Sequence, residues 1–561
     1  MKSILIILFI IFSYGSAFSQ VELTNANDEV YDFLKRMQVQ EIIPDYNSSN
    51  LPLSRYEISN YLLKINSLRN TLNKNDKSIL DFYLNQYNFD ITGNMKSDIS
   101  LVNNFSGENL FSNDKHNHIY AYSDSNASLF FDITGGSTLR KANGDSLGDK
   151  AISFMGIGFK VRGSLFNSVG YYLKAVNWLK TSGDSSDIRF ARLTDPEIFA
   201  DWKLGEKNEN YYTPFEGYLR YQTKTNWLAL TAGRTPLRQG FGYIDKLYLS
   251  DNTVAFDFFK LDLNYKALQY SFTYGGLRGD SAGIPGNQLD AKNISTHRLT
   301  INFSKRFKLG IFESVVIPNS PFNFTFFNPI SFLTAAELNK SSQGKNDNAN
   351  NSIMGFDLEA IPVKNLSFQI SVLLDDFSMS GIFKSDDITN KFGYQAGIFY
   401  NDAFTVPGLV AITEYTRINP FVYTHEDNLA QYTHWNLPLG HLLQPNSDEI
   451  AAGLNYYFDS RFNVSALIRI QRHAAGRIDS AGSTVLNYGG NINDGQYIVS
   501  ERVGFLNGNR INKNIYEFNM NWEPLLQWKL SFKYVYALTD KLYINKKIID
   551  RYFFINLGLT I

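Results

Sequence analysis

The sequence contains no cysteine, which excludes a disulfide framework, a thiolate metal site and lipoprotein acylation. After the N-terminal region it has no run of about 18 apolar residues, so a helical membrane span is also excluded. Net charge is nearly absent, with 53 basic and 54 acidic residues, and nothing indicates a nucleic-acid partner. The closest histidines, His425, His434 and His441, lack helical i, i+4 spacing. We therefore expect no metal and no cofactor.

The first residues follow the pattern of a secretory signal peptide. Lys2 precedes the apolar run Ile4 to Phe12, and small residues end at Ser19. The run is too short to span a bilayer permanently. We expect residues 1–19 to be removed by cleavage near Ser19, and the mature chain to cross the inner membrane.

Aromatic residues are abundant, with 34 Tyr, 44 Phe and 6 Trp in 561 residues. The mean hydropathy is nevertheless negative. This combination is typical of an outer-membrane β-barrel, because each strand turns one face to lipid and the other to a polar lumen. The average over the two faces then hides the membrane signal.

Residues 20–90 show helical periodicity. Apolar residues recur at helical spacing within Asp28 to Gln38, and Ser54 to Glu57 forms a capping box that predicts the start of a second helix. A third helix is predicted from Lys74 to about Tyr87. Because this small helical module follows the signal peptide directly, we expect it in the periplasm, where other periplasmic or cell-envelope proteins are candidate partners.

Residues 91–561 show the period-2 alternation of a transmembrane antiparallel β-barrel. Leu299 to Phe303, Tyr516 to Trp522 and Trp528 to Tyr534 each alternate apolar with polar side chains. Short turns alternate with long polar loops, and in such barrels the turns are periplasmic and the loops extracellular. The segmentation gives about 20 strands, uncertain by about two, chiefly at residues 91–124.

A family resemblance rests on several short motifs in a particular order. They are Gly233-Arg234, Gly240-Phe241-Gly242, Leu247 to Asn252, Phe327 to Ile330, Leu374 to Phe377 and Leu437 to His441. With these motifs the chain resembles the capsule assembly Wzi family of outer-membrane proteins, and its N-terminal segments resemble members from the Bacteroidetes. The resemblance implies about 18 strands, a periplasmic helical bundle, a lectin that holds capsular polysaccharide, and no reaction. We therefore expect an all-β barrel of about 18 strands, with 18 to 20 possible.

Binding a saccharide requires aromatic platforms for the pyranose faces and planar polar groups for the hydroxyls. The long loops supply such residues: Tyr211, Tyr212, Arg234, Arg238, Phe241, Tyr243, Tyr423, His434 and Trp435. The group around Tyr423, Tyr432 and Trp435 is the favoured platform. Three structural alternatives stay open: the aromatics belong to the interfacial girdle, they pack the loops on each other, or Arg234 pairs with a lumen carboxylate such as Glu313 or Glu414.

A porin or substrate-specific channel is the alternative function. Polar residues on the inward phase of the strands could line its path: Arg298, Asn302, Glu414, Arg469, Glu517 and Lys533. The signal is weak, because any barrel needs a polar interior. Long loops in the middle of the chain could plug the pore, which favours binding over transport.

A hydrolase is the third class, because Gly144, Ser146 and Gly148 match a nucleophile-elbow pattern. No buried parallel strand precedes Ser146 and no helix follows it, so we expect the tip of an extracellular hairpin and no catalysis. The sequence thus predicts a non-enzymatic outer-membrane lectin whose partners are capsular or extracellular polysaccharide, membrane lipid and lipopolysaccharide. Roles in capsule attachment, adhesion and gliding motility all remain open.

Overall fold

A closed antiparallel β-barrel of 18 strands dominates the computed structural model. The structure describes residues 20–103, 111, 113, 115–201, 204, 209–279, 290–318, 322–333, 350–375, 391–478, 484–495 and 503–561. The predicted signal peptide, residues 1–19, lies outside these residues. No described helix is long and apolar enough to cross a membrane.

The barrel strands are numbered here along the chain. They are β1 Ser128–Gly144, β2 Lys150–Leu165, β3 Val169–Ser182, β4 Phe215–Gln222, β5 Leu228–Arg234, β6 Asp257–Tyr265, β7 Leu268–Gly279, β8 Asp290–Ser304, β9 Phe307–Pro318, β10 Asn351–Val363, β11 Leu366–Asp375, β12 Lys391–Asn401, β13 Leu409–Ile418, β14 Ser447–Tyr457, β15 Phe462–Ala475, β16 Asn509–Leu525, β17 Trp528–Lys541 and β18 Lys546–Thr560. Strand β18 pairs with β1 from Asp550 opposite Gly144 to Thr560 opposite Thr134, which closes the barrel.

Residues 91–127 account for the two strands by which the segmentation exceeds the observed number. Asp98–Ser100 pairs in parallel with His116–His118, and Tyr120–Ser123 pairs with the start of β1. The His118 ring bonds to Asp98 (Nε2–Oδ1 3.0 Å) and to Asp132 of β1 (Nδ1–Oδ1 2.5 Å). These inward contacts tie the stretch to the lumen wall, so the barrel begins at Ser128 and not near residue 91.

Four helices form the N-terminal module: α1 Val30–Val39, α2 Arg55–Ser67, α3 Lys74–Gln86 and α4 Asn88–Thr92. The predicted capping box is present, because Ser54 accepts from the backbone of Glu57 and the Glu57 carboxylate accepts from Ser54. Val30, Leu34 and Leu62 are among the buried residues of one apolar core shared by the helices. The module therefore has a core of its own.

The module docks onto the lumen face of the barrel at the end that carries the short turns. Lys35 of α1 forms a buried ion pair with Glu359 of β10, and Gln38 donates to the same carboxylate (2.8 Å). On the opposite wall, Arg162 of β2 donates to Glu22 (2.8 Å). The two contacts hold the module against facing parts of the barrel.

Residues 235–256, between β5 and β6, fold into the lumen, and we call them the plug loop. Within it, Arg238–Gln239 pairs with Asn50–Leu51 of the module. Its Phe241, Leu247, Tyr248 and Leu249 are all buried. The plug loop thus meets the module inside the barrel.

Carboxylates on the barrel wall bind the backbone of the plug loop. Asp357 of β10 accepts a hydrogen bond from the Phe241 amide (3.2 Å). It also accepts hydrogen bonds from both terminal nitrogens of Arg298 of β8 (3.1 and 2.8 Å). Glu414 of β13 accepts from the amides of Tyr243 (2.7 Å), Ile244 and Asp245. Charge-assisted bonds of this kind are stronger than neutral ones, so the loop is firmly held.

Two further elements fold inward at the long-loop end. Helices α5 Ser185–Thr194 and α6 Pro196–Ala200 pack with Phe154 of β2, which is fully buried. In residues 419–446, Tyr423 donates its hydroxyl to the carbonyl of Leu247 (2.6 Å) in the plug loop. A cavity of about 670 Å³ remains between the module and the lumen faces of β1–β3 and β16–β18.

Loss of the Arg298 guanidinium is expected to release the plug loop. The substitution Arg298→Met leaves the Asp357 carboxylate buried without its cation, which costs about 3–5 kcal/mol. Lys246 of the plug loop is buried, so we expect the intact protein to resist trypsin there and the variant to be cut. The measurement is the yield of the peptide that ends at Lys246, by mass spectrometry after limited digestion.

Two controls accompany this experiment. The double variant R298M/D357N removes both charges but keeps an acceptor for the Phe241 amide, so it should regain most of the protection. Arg469→Met is the matched single variant, because Gln471 and Lys533 still bind its partners Glu449 and Glu517. Equal cleavage of R298M and the intact protein would contradict the assigned role of Arg298.

Candidate functional site

Ser146 lies in the turn between β1 and β2, as its sequence setting predicts. Its hydroxyl donates to Asp550 of β18 (2.6 Å), and the same carboxylate accepts from its amide (3.0 Å). A nucleophilic serine would instead donate to a general base such as histidine. Among the described residues no hydrogen bond joins Ser146 to a histidine. The serine of this motif therefore holds the turn against β18.

Three of the aromatic candidates lie in the interior. Phe241, Tyr423 and Tyr432 have no exposed surface. Tyr423 and Tyr432 stack on each other (centroids 5.6 Å apart), and Tyr432 donates its hydroxyl to the carbonyl of Tyr248. The favoured group therefore packs against the plug loop in this structure, and of its three aromatics only Trp435 reaches solvent in part.

Three other candidates also make internal contacts. Tyr212 packs edge-on against Phe154 (5.3 Å). The hydroxyl of Tyr243 shares a hydrogen bond with Ser367 of β11 (2.7 Å). His434 accepts from the Arg278 amide at Nδ1 (2.9 Å), and burial together with Lys292 lowers its pKa to about 3. A neutral, bonded ring of this kind positions the loop.

Arg234 and Tyr211 lie on the outward face of the barrel at its long-loop end. The Arg234 guanidinium lies over the Phe215 ring (4.4 Å) and bonds to Asp257 through Nε (3.1 Å) and a terminal nitrogen (2.6 Å). Tyr211 is 48% exposed, and its paired residue Leu179 also faces outward. We call Tyr211, Phe215, Arg234 and Asp257 the rim patch.

The rim patch settles one alternative about Arg234. Its partner is Asp257 of the neighbouring strand β6 and is neither Glu313 nor Glu414. The reason is the phase of the strand, because Arg234 points outward while Glu414 faces the lumen and binds the plug loop. Glu313 faces outward too, but on β9, where it contacts Leu333.

Arg238 and Trp435 occupy different positions around the plug. Arg238 forms an ion pair with Asp251 (3.2 Å) and donates to Asn27 of the module (3.3 Å), so it joins the plug loop to the module. Next to Trp435, the carbonyl of Asn436 accepts from the side chain of Asn493 (3.1 Å). Trp435 and Asn436 are both half-buried and lie at the long-loop end.

The six lumen candidates all lie on the inward phase. Arg298 binds Asp357, which in turn holds the plug loop, and Glu414 binds the amides of that loop. Arg469 donates to Glu449 (2.8 Å) and to Glu517 (3.2 Å), and Lys533 pairs with Glu517 (2.6 Å). Asn302 is half-buried on β8. The five charged candidates therefore all have bonded partners in the wall or the plug loop.

Sequence reasoning missed the residues that organise the plug. Asp357 holds both Arg298 and the Phe241 amide, and Asp245 accepts from the Ser250 hydroxyl (2.7 Å) and the Leu442 amide (2.8 Å). The alternation of β10 does place Asp357 inward, which was the available signal. The position of Asp245 depends on the fold of a long loop, whose sequence has no periodicity from which that position could be predicted.

Comparison with known proteins identifies the family of this chain and solved structures with a similar fold. The family model of the capsule assembly protein Wzi matches residues 141–537. No curated protein matches the chain. The solved structure of Wzi from Escherichia coli, described as an outer-membrane, carbohydrate-binding β-barrel involved in group 1 capsule assembly, is similar with a TM-score of 0.55 at 12% identity, over 95% of this chain and 98% of that one.

A second solved structure, OprD from Pseudomonas aeruginosa, gives a TM-score of 0.43 at 9% identity, over 77% of this chain and 94% of that one. At these identities the likeness to solved structures concerns the fold alone. The family model, in contrast, spans well over half of the chain. The protein therefore belongs to the capsule assembly Wzi family of the outer membrane.

Proposed function

We propose that this protein is an outer-membrane lectin that binds capsular or extracellular polysaccharide and holds it at the cell surface, without a catalytic step. One observation carries the proposal: protein elements occupy the lumen. The module fills the short-turn end, and the plug loop crosses the interior between Asp357 and Glu414. A barrel filled in this way is better suited to bind a ligand at its surface than to pass one through its lumen.

The channel alternative has less support in the lumen itself. A permeation path for a polar solute needs a continuous wet passage with accessible charges or hydrogen-bonding groups. Here Arg469, Glu517 and Lys533 bind one another. The remaining cavity of about 670 Å³ is bounded by Arg55, Phe82 and Tyr83 of the module.

Two places at the long-loop end have the chemistry to bind a saccharide. In the rim patch, Tyr211 and Phe215 are half exposed, and Arg234 and Asp257 add planar groups that bond to hydroxyls or to the carboxylates of an acidic sugar. At the second place, Trp435 offers a ring next to the amide of Asn436. Barrels of this class turn the long-loop end outward, toward the polysaccharide.

We expect the same orientation to turn the exposed face of the helical module toward the periplasm, where it is available to cell-envelope proteins. Lys64 and Asp45 form an exposed ion pair on that module.

Polysaccharide retained at the outer end coats the cell with hydrated, adhesive material. This coat is the physical basis that we propose for a role in adhesion or gliding motility.

Single-channel conductance in planar bilayers tests binding against transport. We expect the intact barrel to conduct little, because the plug loop and the module block the path. Deletion of residues 237–253, with a short glycine linker in their place, should raise the conductance several-fold. A high, solute-selective conductance of the intact protein would favour the channel alternative.

Retention of polysaccharide tests the lectin directly. Cells that lack the protein should release polysaccharide that otherwise stays bound. Tyr211→Ala and Trp435→Ala should each weaken binding of the purified polysaccharide roughly 3- to 10-fold, because an aromatic contact contributes about 0.5–1.5 kcal/mol.

Tyr122→Ala is the matched control for these variants. Tyr122 is 45% exposed and bonds to Asp124, but it lies at the short-turn end. We expect this variant to bind polysaccharide as the intact protein does. Unchanged binding in both Y211A and W435A would reject both proposed places.

A further inference from the structure

Residues 322–333, which follow β9, lie against the outer wall of the barrel, and we call them the wall segment. The Phe327 ring contacts Phe259 of β6 (5.5 Å), Phe272 of β7 (5.9 Å) and Tyr274 of β7 (5.5 Å). These three residues lie on the outward phase, because inward neighbours such as Lys260 and Asp262 form a buried ion pair on the other face. The wall segment therefore occupies the position where lipid would contact the strands.

Hydrogen bonds with the wall and within the segment satisfy much of its backbone. Ser295 of β8 donates to the carbonyl of Phe326 (2.6 Å), Tyr270 of β7 donates to that of Pro329, and Glu313 of β9 accepts from the Leu333 amide (3.0 Å). The side chains of Asn323 and Asn328 accept from the amides of Thr325 and Ile330. Irregular backbone needs such partners to lie within a bilayer.

The wall segment exposes three large apolar side chains. Phe324 is 82% exposed, Ile330 is 91% exposed and Phe332 is 59% exposed. In water these three side chains would be solvated at a considerable cost in free energy. In the hydrocarbon layer the same orientation is favourable.

The wall segment also explains two ionisable residues on the lipid-facing phase. His297 of β8 and Glu313 of β9 are directly opposite each other, with Nδ1 and Oε1 3.3 Å apart. Both are more than nine-tenths buried. Ionisable groups that face lipid are expensive, and Leu333 shields this pair by bonding to Glu313.

Between the wall segment and the strands lies a groove of about 910 Å³. It is within the usual range of ligand sites, roughly 300–1,000 Å³. Its floor consists of outward side chains from β6 to β11, and the segment contributes residues 329–332. Representative lining residues are Leu263, Leu299, Leu309, Ile311, Phe356 and Ile330.

We propose that the wall segment is inserted in the membrane and that its groove binds an acyl chain of a phospholipid. The apolar lining is continuous with the lipid-facing surface of the barrel, so the molecules that surround it are lipids. Leu263 and Leu309 lie close to the short turns after β6 and before β9. The groove thus extends into the half of the bilayer nearest the short turns, where the chains belong to phospholipid.

Cysteine labelling tests the insertion, since the chain has no native cysteine. In intact cells, Phe324→Cys and Ile330→Cys should react with a membrane-impermeant maleimide about tenfold more slowly than Glu426→Cys, an exposed position in the long loop after β13. Detergent solubilisation with a permeant maleimide confirms that each thiol is intact. Equal rates in cells would show that the segment lies in water and would overturn the proposal.

Lipid retention tests the groove. The full chain is purified in detergent with extensive exchange, and the phospholipid that remains per barrel is measured by mass spectrometry. Leu299→Trp and Ile311→Trp fill the groove and should lower the retained phospholipid about tenfold. The matched control is Ile370→Trp on the outward face of β11, because Ile370 is 44% exposed and does not line the groove.

Heat-dependent gel mobility, a property of folded barrels, identifies any variant that has not folded. If L299W and I311W both misfold, Ile330→Ala in the wall segment replaces them and is expected to lower retention in the same direction. Retention of phospholipid that is equal in the filled variants and the intact protein would overturn the acyl site. So would co-purification of lipid A in place of phospholipid, or a mass that corresponds to a dimer through this wall.

Discussion

Every strand of this barrel must place a polar face inward, and the structure depends on how those inward charges find partners. Protein elements provide many of the partners. Glu359 binds Lys35 of the module, Asp357 binds Arg298 and the plug loop, and Glu414 accepts three amides of the same loop. A buried carboxylate without such partners would be expensive. The same elements that fill the lumen therefore also supply the partners of the inward charges on the wall.

This filling determines where function can lie. The aromatic and basic candidate residues fall into two groups, depending on whether their loop folds back into the barrel. Tyr423, Phe241 and His434 belong to loops that fold back, and they pack the interior. Tyr211 and Arg234 are on strand ends that do not, and they remain on the surface. The long-loop end thus offers a small exposed surface supported by a rigid interior.

The sequence predicts the regular parts of the structure well, because they follow from local periodicity. The alternation around Leu299 predicts a strand, and the capping box at Ser54 predicts the start of a helix. The burial of Tyr423 could not be predicted, since it depends on contacts with the plug loop at Leu247, far away in sequence. His297 and Glu313 interrupt the lipid-facing pattern, and among the described residues the wall segment covers them through the bond from Leu333 to Glu313.

The position of the module also sets an order for assembly. Lys35 and its partner Glu359 are 324 positions apart in the sequence. The helices are synthesised first, but their wall contacts exist only after the central strands are made. The seam between β1 and β18 forms from the beginning and the end of the barrel. A helical module with a core of its own therefore depends on strands synthesised much later for the wall that surrounds it.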